Sequence, residues 1–134
     1  MTTAQVEQSN IELVRRGFAA FAAADMAALT DLFDASASWH SSPLGVMTGH
    51  YHDRNAIFAS FAQLQTETAG TFRSKPTAMA ASGDKVFVQA EVTGERNGRK
   101  LQSDEVFVFT MADGRVRDVQ LYHGDHPGSA AFWA

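Results

Sequence analysis

The chain contains no cysteine. That excludes disulfides, thiolate nucleophiles and thiolate metal ligands, and it suits a reducing compartment such as the cytoplasm. No apolar run approaches the ~20 residues that cross a bilayer. Met1 to Asn10 is polar and lacks the basic-then-apolar layout of a secretory signal. A basic stripe is missing too. The eleven Lys and Arg are scattered, with short pairs at Arg15-Arg16 and Arg99-Lys100, in a chain of net charge −4. Neither nucleic acid nor membrane is expected as a partner. What is present is a globular composition, 45% hydrophobic and 19% charged over 134 residues. That is enough for a single domain, residues 1–134, with its own core.

Residues 4–24 carry Ile11, Val14, Phe18 and Phe21 at three- and four-residue spacing, which predicts an amphipathic helix. Asp25 is an N-cap candidate for a second, shorter helix whose apolar face is Met26, Leu29 and Phe33. Between Ser36 and Tyr51, Pro43, Gly45 and Gly49 break any helical period, which predicts a short strand, a loop and another short strand. Asp53 is the next N-cap candidate. Ile57, Phe58, Phe61 and Leu64 mark a third helix ending near Gly70. Strand patterns follow over 71–79, 85–95, 100–112 and 115–124. Asn97-Gly98 and Asp113-Gly114 between the last three are two-residue hairpin turns, which need positive φ at both positions. The tail, with Phe132-Trp133, is expected to dock on the body. The order predicts an α+β domain: a cone-shaped, curved antiparallel sheet wrapped over three N-terminal helices.

Two-residue turns fix register, and register fixes faces. Val108 then lies opposite Val119, Val106 opposite Leu121, and Asp104 opposite His123. On the other side, Phe87 faces Val108, Gln89 faces Val106, and Glu91 faces Asp104. One face thus holds Phe87, Gln89, Glu91, Asp104, Val106, Val108, Val119, Leu121 and His123, apolar at one end and polar at the other, as a ligand pocket is. The opposite face holds Val86, Val88, Phe107, Phe109, Met111 and Val116. It suits either a homodimer contact on the outer side of the sheet or packing on the helices. Register alone leaves both assignments open, and a β-bulge would reverse part of either.

The chain resembles the SnoaL-like branch of the nuclear transport factor 2 superfamily, which also holds ketosteroid isomerases and limonene-epoxide hydrolases. The resemblance rests on Leu29 to Phe33 ahead of Trp39, on Gly49 and the helix start at Asp53, and on Asn97-Gly98-Arg99. It continues through Asp113-Gly114-Arg115-Val116 and closes on Leu121-Tyr122-His123-Gly124-Asp125. It implies a cystatin-like roll whose concave sheet face encloses the pocket and whose outer face forms a homodimer. It also implies that Val119, Leu121 and His123 point inward, which favours the mixed face as the pocket. The isomerase machinery does not carry over. Ser41 or Ser42 stands where its proton-abstracting aspartate would be, and Phe18 where its tyrosine would be. Only Asp104 matches the third member. Leu121 replaces an aspartate of the epoxide hydrolases. Asp125 is similar in position to the acid/base aspartate of the polyketide cyclases.

The expected ligand is a small apolar molecule carrying a carbonyl, and the expected chemistry is acid/base isomerisation, cyclisation or hydration without a cofactor. Non-catalytic ligand binding or dimerisation is the alternative. Candidate catalytic residues are His123, Asp104, Asp125 and His40, with Asp104 orienting His123 as carboxylates orient imidazoles. A structural His–Asp pair is the competing reading. Asp125 equally suits capping the turn before Pro127. Candidate substrate contacts are Trp39, Phe18, Phe87, Gln89, Glu91, Val106, Val108, Val119 and Leu121. His40, His50, His52, His123 and His126 have no metal-ligand spacing, so no metal is expected.

Overall fold

The computed structural model describes residues 1–134. Helix α1 (Thr3–Ala23) opens on a capping box between Thr2 and Gln5 and ends at Ala24 in the left-handed region. Asp25 caps α2 (Met26–Leu32) by accepting from the Ala28 N–H at 3.1 Å. Phe33, expected on the α2 face, is instead the first residue of strand β1 (Phe33–His40). It remains buried there. Strand β2 (His50–Tyr51) follows a loop, and Asp53 then caps α3 (Arg54–Glu67) through the Ala56 N–H at 2.7 Å. The remaining strands are β3 (Arg73–Ser82), β4 (Lys85–Arg96), β5 (Arg99–Ala112) and β6 (Arg115–His123). A fourth helix, α4 (His126–Trp133), completes the chain. No helix is long and apolar enough to cross a membrane.

The α+β class holds, with one correction. The sheet is a six-stranded mixed one, ordered β2-β1-β6-β5-β4-β3. β1 runs parallel to β6, and the other pairings are antiparallel. No hairpin joins β1 to β6, so nothing forces that pair to be antiparallel. Both predicted tight turns form, with φ of 52° and 77° at Asn97 and Gly98 and 53° and 75° at Asp113 and Gly114.

The register of β4 on β5 is the expected one, with Phe87 opposite Val108, Gln89 opposite Val106 and Glu91 opposite Asp104. The register of β5 on β6 is not. It begins as expected, Met111 opposite Val116, and then slips by one so that Thr110 faces Asp118. The extra residue is Arg117, a β-bulge. Beyond it Val119 pairs with Phe109, Leu121 with Phe107, and His123 with Glu105. The inward direction of Val119, Leu121 and His123 is thus correct, but their β5 and β4 partners belong to the other set. Phe87, Gln89, Glu91, Asp104, Val106 and Val108 lie on the outer face. Val86, Val88, Phe107, Phe109, Met111 and Val116, the expected dimer face, are buried beneath the helices.

The core divides in two. Val14, Leu29, Leu32, Phe33, Val88, Phe107, Phe109 and Val119 belong to a larger cluster between α1–α3 and the sheet. Leu44, Met47, Phe72, Val92, Leu101, Phe132 and Trp133 form a second beneath α4 and the 41–49 loop. Both clusters line the space between them.

Candidate functional site

That space is a cavity of ≈ 130 Å³. Its apolar wall is largely aromatic, drawn from Phe18 and Phe21 on α1, Phe61 on α3, Trp39 on β1, and Phe107 and Phe109 on β5. The rings meet edge to face: Phe18 on Phe107 at 5.5 Å, Trp39 on Phe61 at 5.5 Å, Phe21 on Phe61 at 5.2 Å. Such contacts fix ring orientation as well as burying area. Ser42 is the one exposed lining residue, so the cavity reaches the surface at the 41–49 loop. That loop is tied to α4 by the Val46 N–H, which donates to the Trp133 carbonyl at 3.1 Å.

The polar part of the wall is small and concentrated. His123 Nδ1 and Glu105 Oε2 lie 2.7 Å apart, with side chains 8% and 5% exposed. By distance this is an ion-pair contact. Its angles are not those of a hydrogen bond, because Glu105 Oε2 and both ring nitrogens of His123 have no hydrogen-bond partner. Rotation of the imidazole about its terminal torsion aligns the bond without moving backbone. A carboxylate this deeply buried needs a compensating partner. His123 is the ionisable side chain it touches. Two hydroxyls complete the wall: Tyr51 Oη and Ser74 Oγ, both buried, both lining the cavity and both without a hydrogen-bond partner. Native interiors leave few such groups unpaired, and those that remain call for an explanation. Ser60, by contrast, is satisfied by the Ile57 carbonyl at 2.6 Å.

Of the expected site residues, His123, Trp39, Phe18 and Leu121 line the cavity. Val119 is buried in the core behind it. The Arg117 bulge turns His123 inward, where Glu105 pairs with it, and Asp104 lies on the outer face. Phe87 and Val106 are exposed on the outer face, with Val108, Gln89 and Glu91 beside them. His40 also lies on the outer face, its Nε2 2.9 Å from Asp118 Oδ1, an oxygen that also accepts from Ser38 Oγ at 2.6 Å. It follows Trp39, which points inward, and side chains alternate along a strand. Asp125 is outside the cavity wall. Its carboxylate caps α4, accepting from the Gly128 N–H at 3.0 Å. Glu105, Tyr51 and Ser74 were missed by the sequence reading. Glu105 is one residue from Asp104, and Tyr51 sits between His50 and His52. Ser74 carries no motif.

Residues 14–119 match the family model of the SnoaL-like domain. An uncharacterised protein of Mycobacterium tuberculosis is 25% identical over 129 residues, 96% of this chain and 98% of that protein. Among solved structures, Bal32a from a soil-derived mobile gene cassette is 38% identical, with a TM-score of 0.93 over 96% of this chain and 99% of its own. A putative SnoaL-like polyketide cyclase from Jannaschia is similar in fold, at 22% identity and a TM-score of 0.77 over 96% of this chain and 94% of its own.

Proposed function

The chain belongs to the SnoaL-like domain family, and from that premise we propose that it binds a small, mostly apolar molecule bearing a carbonyl and moves a proton on it. The observation that carries this reading is the buried Glu105–His123 contact of 2.7 Å on the wall of an aromatic cavity. Glu105 faces Nδ1 and thereby directs the imidazole. Nε2 has no partner and is the group that takes a proton from the carbon next to the carbonyl. The imidazolium so formed is stabilised by the Glu105 carboxylate. Tyr51 Oη donates to the enolate oxygen as charge develops on it, in a site walled largely by aromatic side chains. Returning the proton to the same carbon gives exchange, and to another carbon isomerisation; where the enolate carbon instead attacks a second carbonyl of the same molecule, the new C–C bond closes a ring and the imidazolium proton goes to the alkoxide, and no cofactor takes part. Asp104, Asp125 and His40 have no place in this reading, for the structural reasons above.

The test is solvent-deuterium incorporation next to the carbonyl of cyclohexanone. Wild type catalyses it. His123→Ala lowers the rate by about a hundredfold or more, the usual share of a positioned acid/base group, and Glu105→Gln lowers it with cyclohexanone still bound. Binding without exchange in the wild type overturns the enzyme reading in favour of a binding module.

We also propose a homodimer through the outer sheet face. Phe87, Val106 and Tyr122 are exposed there at 40%, 41% and 57%. The register brings them together, with Val106 opposite Tyr122 and Phe87 opposite Val108. Gln89, Gln120, Asp104 and Lys85 surround this apolar centre with a polar rim, the anatomy of a self-complementary two-fold contact.

A further inference from the structure

We propose that the cavity is a slot for a single six-membered ring carrying one hydroxyl or carbonyl oxygen, a molecule of the phenol or cyclohexenone class, and that it rejects fused polycycles. This inference rests on the reading of the cavity as the ligand site.

The first observation is volume. The cavity measures ≈ 130 Å³. Pockets for drug-sized ligands run from roughly 300 to 1,000 Å³. An apolar cavity of about 150 Å³ takes benzene. A second fused ring exceeds that volume and has to protrude past Ser42 at the 41–49 loop. The walls do not yield easily, because protein interiors are packed like organic crystals. Phe107 is held against Phe18, Trp39 and Phe109 at once, with ring centroids 5.5, 6.1 and 6.0 Å apart. Moving it requires moving all three.

The second observation is shape. Phe18, Phe21, Trp39, Phe61 and Phe107 already pack edge to face. A flat ring entering that cluster offers an edge and a face of its own to match, whereas a branched chain offers neither.

The third observation is the unpaired polar set. Tyr51 Oη, Ser74 Oγ and His123 Nε2 are buried on the wall without hydrogen-bond partners. One oxygen on the ring accepts from a hydroxyl or imidazole N–H. If it is itself a hydroxyl, it also donates to Glu105. A pure hydrocarbon leaves all these groups unpaired. A carboxylate on the ring meets the buried Glu105 carboxylate and is repelled. The ligand is therefore not an anion, and it carries an oxygen at one end.

Both tryptophans of the chain, Trp39 and Trp133, line the cavity, so their two indole N–H signals report its occupancy directly. The experiment titrates the full-length, nitrogen-labelled protein with phenol, toluene, benzoate and 2-naphthol. Phenol should shift both indole signals and the His123 ring signals to saturation. Toluene and benzoate should bind at least tenfold more weakly, and 2-naphthol should leave the indole signals in place. Tighter binding of 2-naphthol than of phenol overturns the size limit while the site reading stands. Equal binding of toluene and phenol overturns the role of the polar set. If no compound moves the indole signals, the cavity is not a ligand site, and both this inference and the proposed function fall.

Discussion

At Arg117, β6 holds one residue more than β5 can pair. A one-residue slip moves every following side chain relative to its partners, so a residue remote from the cavity decides that His123 meets Glu105 and not Asp104. The bulge residue is itself anchored, since the Arg117 guanidinium lies 3.7 Å from Asp34 Oδ2. The other Asp34 oxygen accepts from the Ser36 N–H at 2.9 Å and the Ser36 hydroxyl at 2.7 Å. These two bonds, the backbone one first and then the hydroxyl, hold the Asp34 carboxyl below its ordinary range, and Arg117 and Arg115 add to the effect. A lowered folded-state value means that ionised Asp34 stabilises the fold above the ordinary carboxylate range. That contribution is lost as pH falls through the lowered value. The melting temperatures of wild type and Asp34→Asn should therefore differ most near neutral pH and converge in acid. A gap independent of pH contradicts the assignment. Nothing in the run Arg115-Val116-Arg117 announced the bulge, which is why the sequence reading placed Asp104 opposite His123. One signal was available: Phe107, Phe109 and Met111 make a face too apolar for solvent, and the faces of β5 follow from that alone.

Among the elements, those governed by local chemistry were legible. Asp25 and Asp53 start helices because their carboxylates accept the orphan N–H groups of the first turn. The Asn-Gly and Asp-Gly turns form because those residues tolerate positive φ. Helix α4 was not legible as a helix. It contains Pro127, Gly128 and Ser129, so propensity gives it little, and tertiary contacts hold it. Arg96 donates to the Phe132 carbonyl at 3.1 Å and the Ala134 carbonyl at 2.8 Å. Arg99 donates to the Ala131 carbonyl at 3.0 Å. Two cations thus sit at the negative end of the helix. At the other end, Asp125 is a cap. Asp125→Ala should lower stability by about 1 kcal/mol, and Asp125→Asn, also a good cap, should restore it with deuterium exchange intact. Loss of exchange in Asp125→Asn at full stability would return Asp125 to the acid/base role suggested by its position in the family.

Over the whole molecule, the class of fold followed from the order of elements, and the resemblance to the SnoaL-like branch covered nearly the full chain. The cavity did not follow, because it exists where two core clusters contributed by distant segments fail to meet. Nor did the correct outer face, whose apolar centre is Phe87, Val106, Val108 and Tyr122. For the dimer through that face, sedimentation equilibrium should give twice the 14.5 kDa chain mass. Val106→Lys should return the monomer without unfolding it, since Val106 is exposed in the single chain. A monomeric wild type contradicts the dimer and leaves the cavity untouched. The inward-facing Glu105–His123 pair can be read from the nitrogen spectrum of the histidine rings. The His123 ring signals, which report its tautomer and hydrogen bonding, should change in Glu105→Gln and stay as in wild type in Asp104→Asn. A His123 spectrum that ignores Glu105→Gln and responds to Asp104→Asn would contradict the bulge, the register and the site built on them.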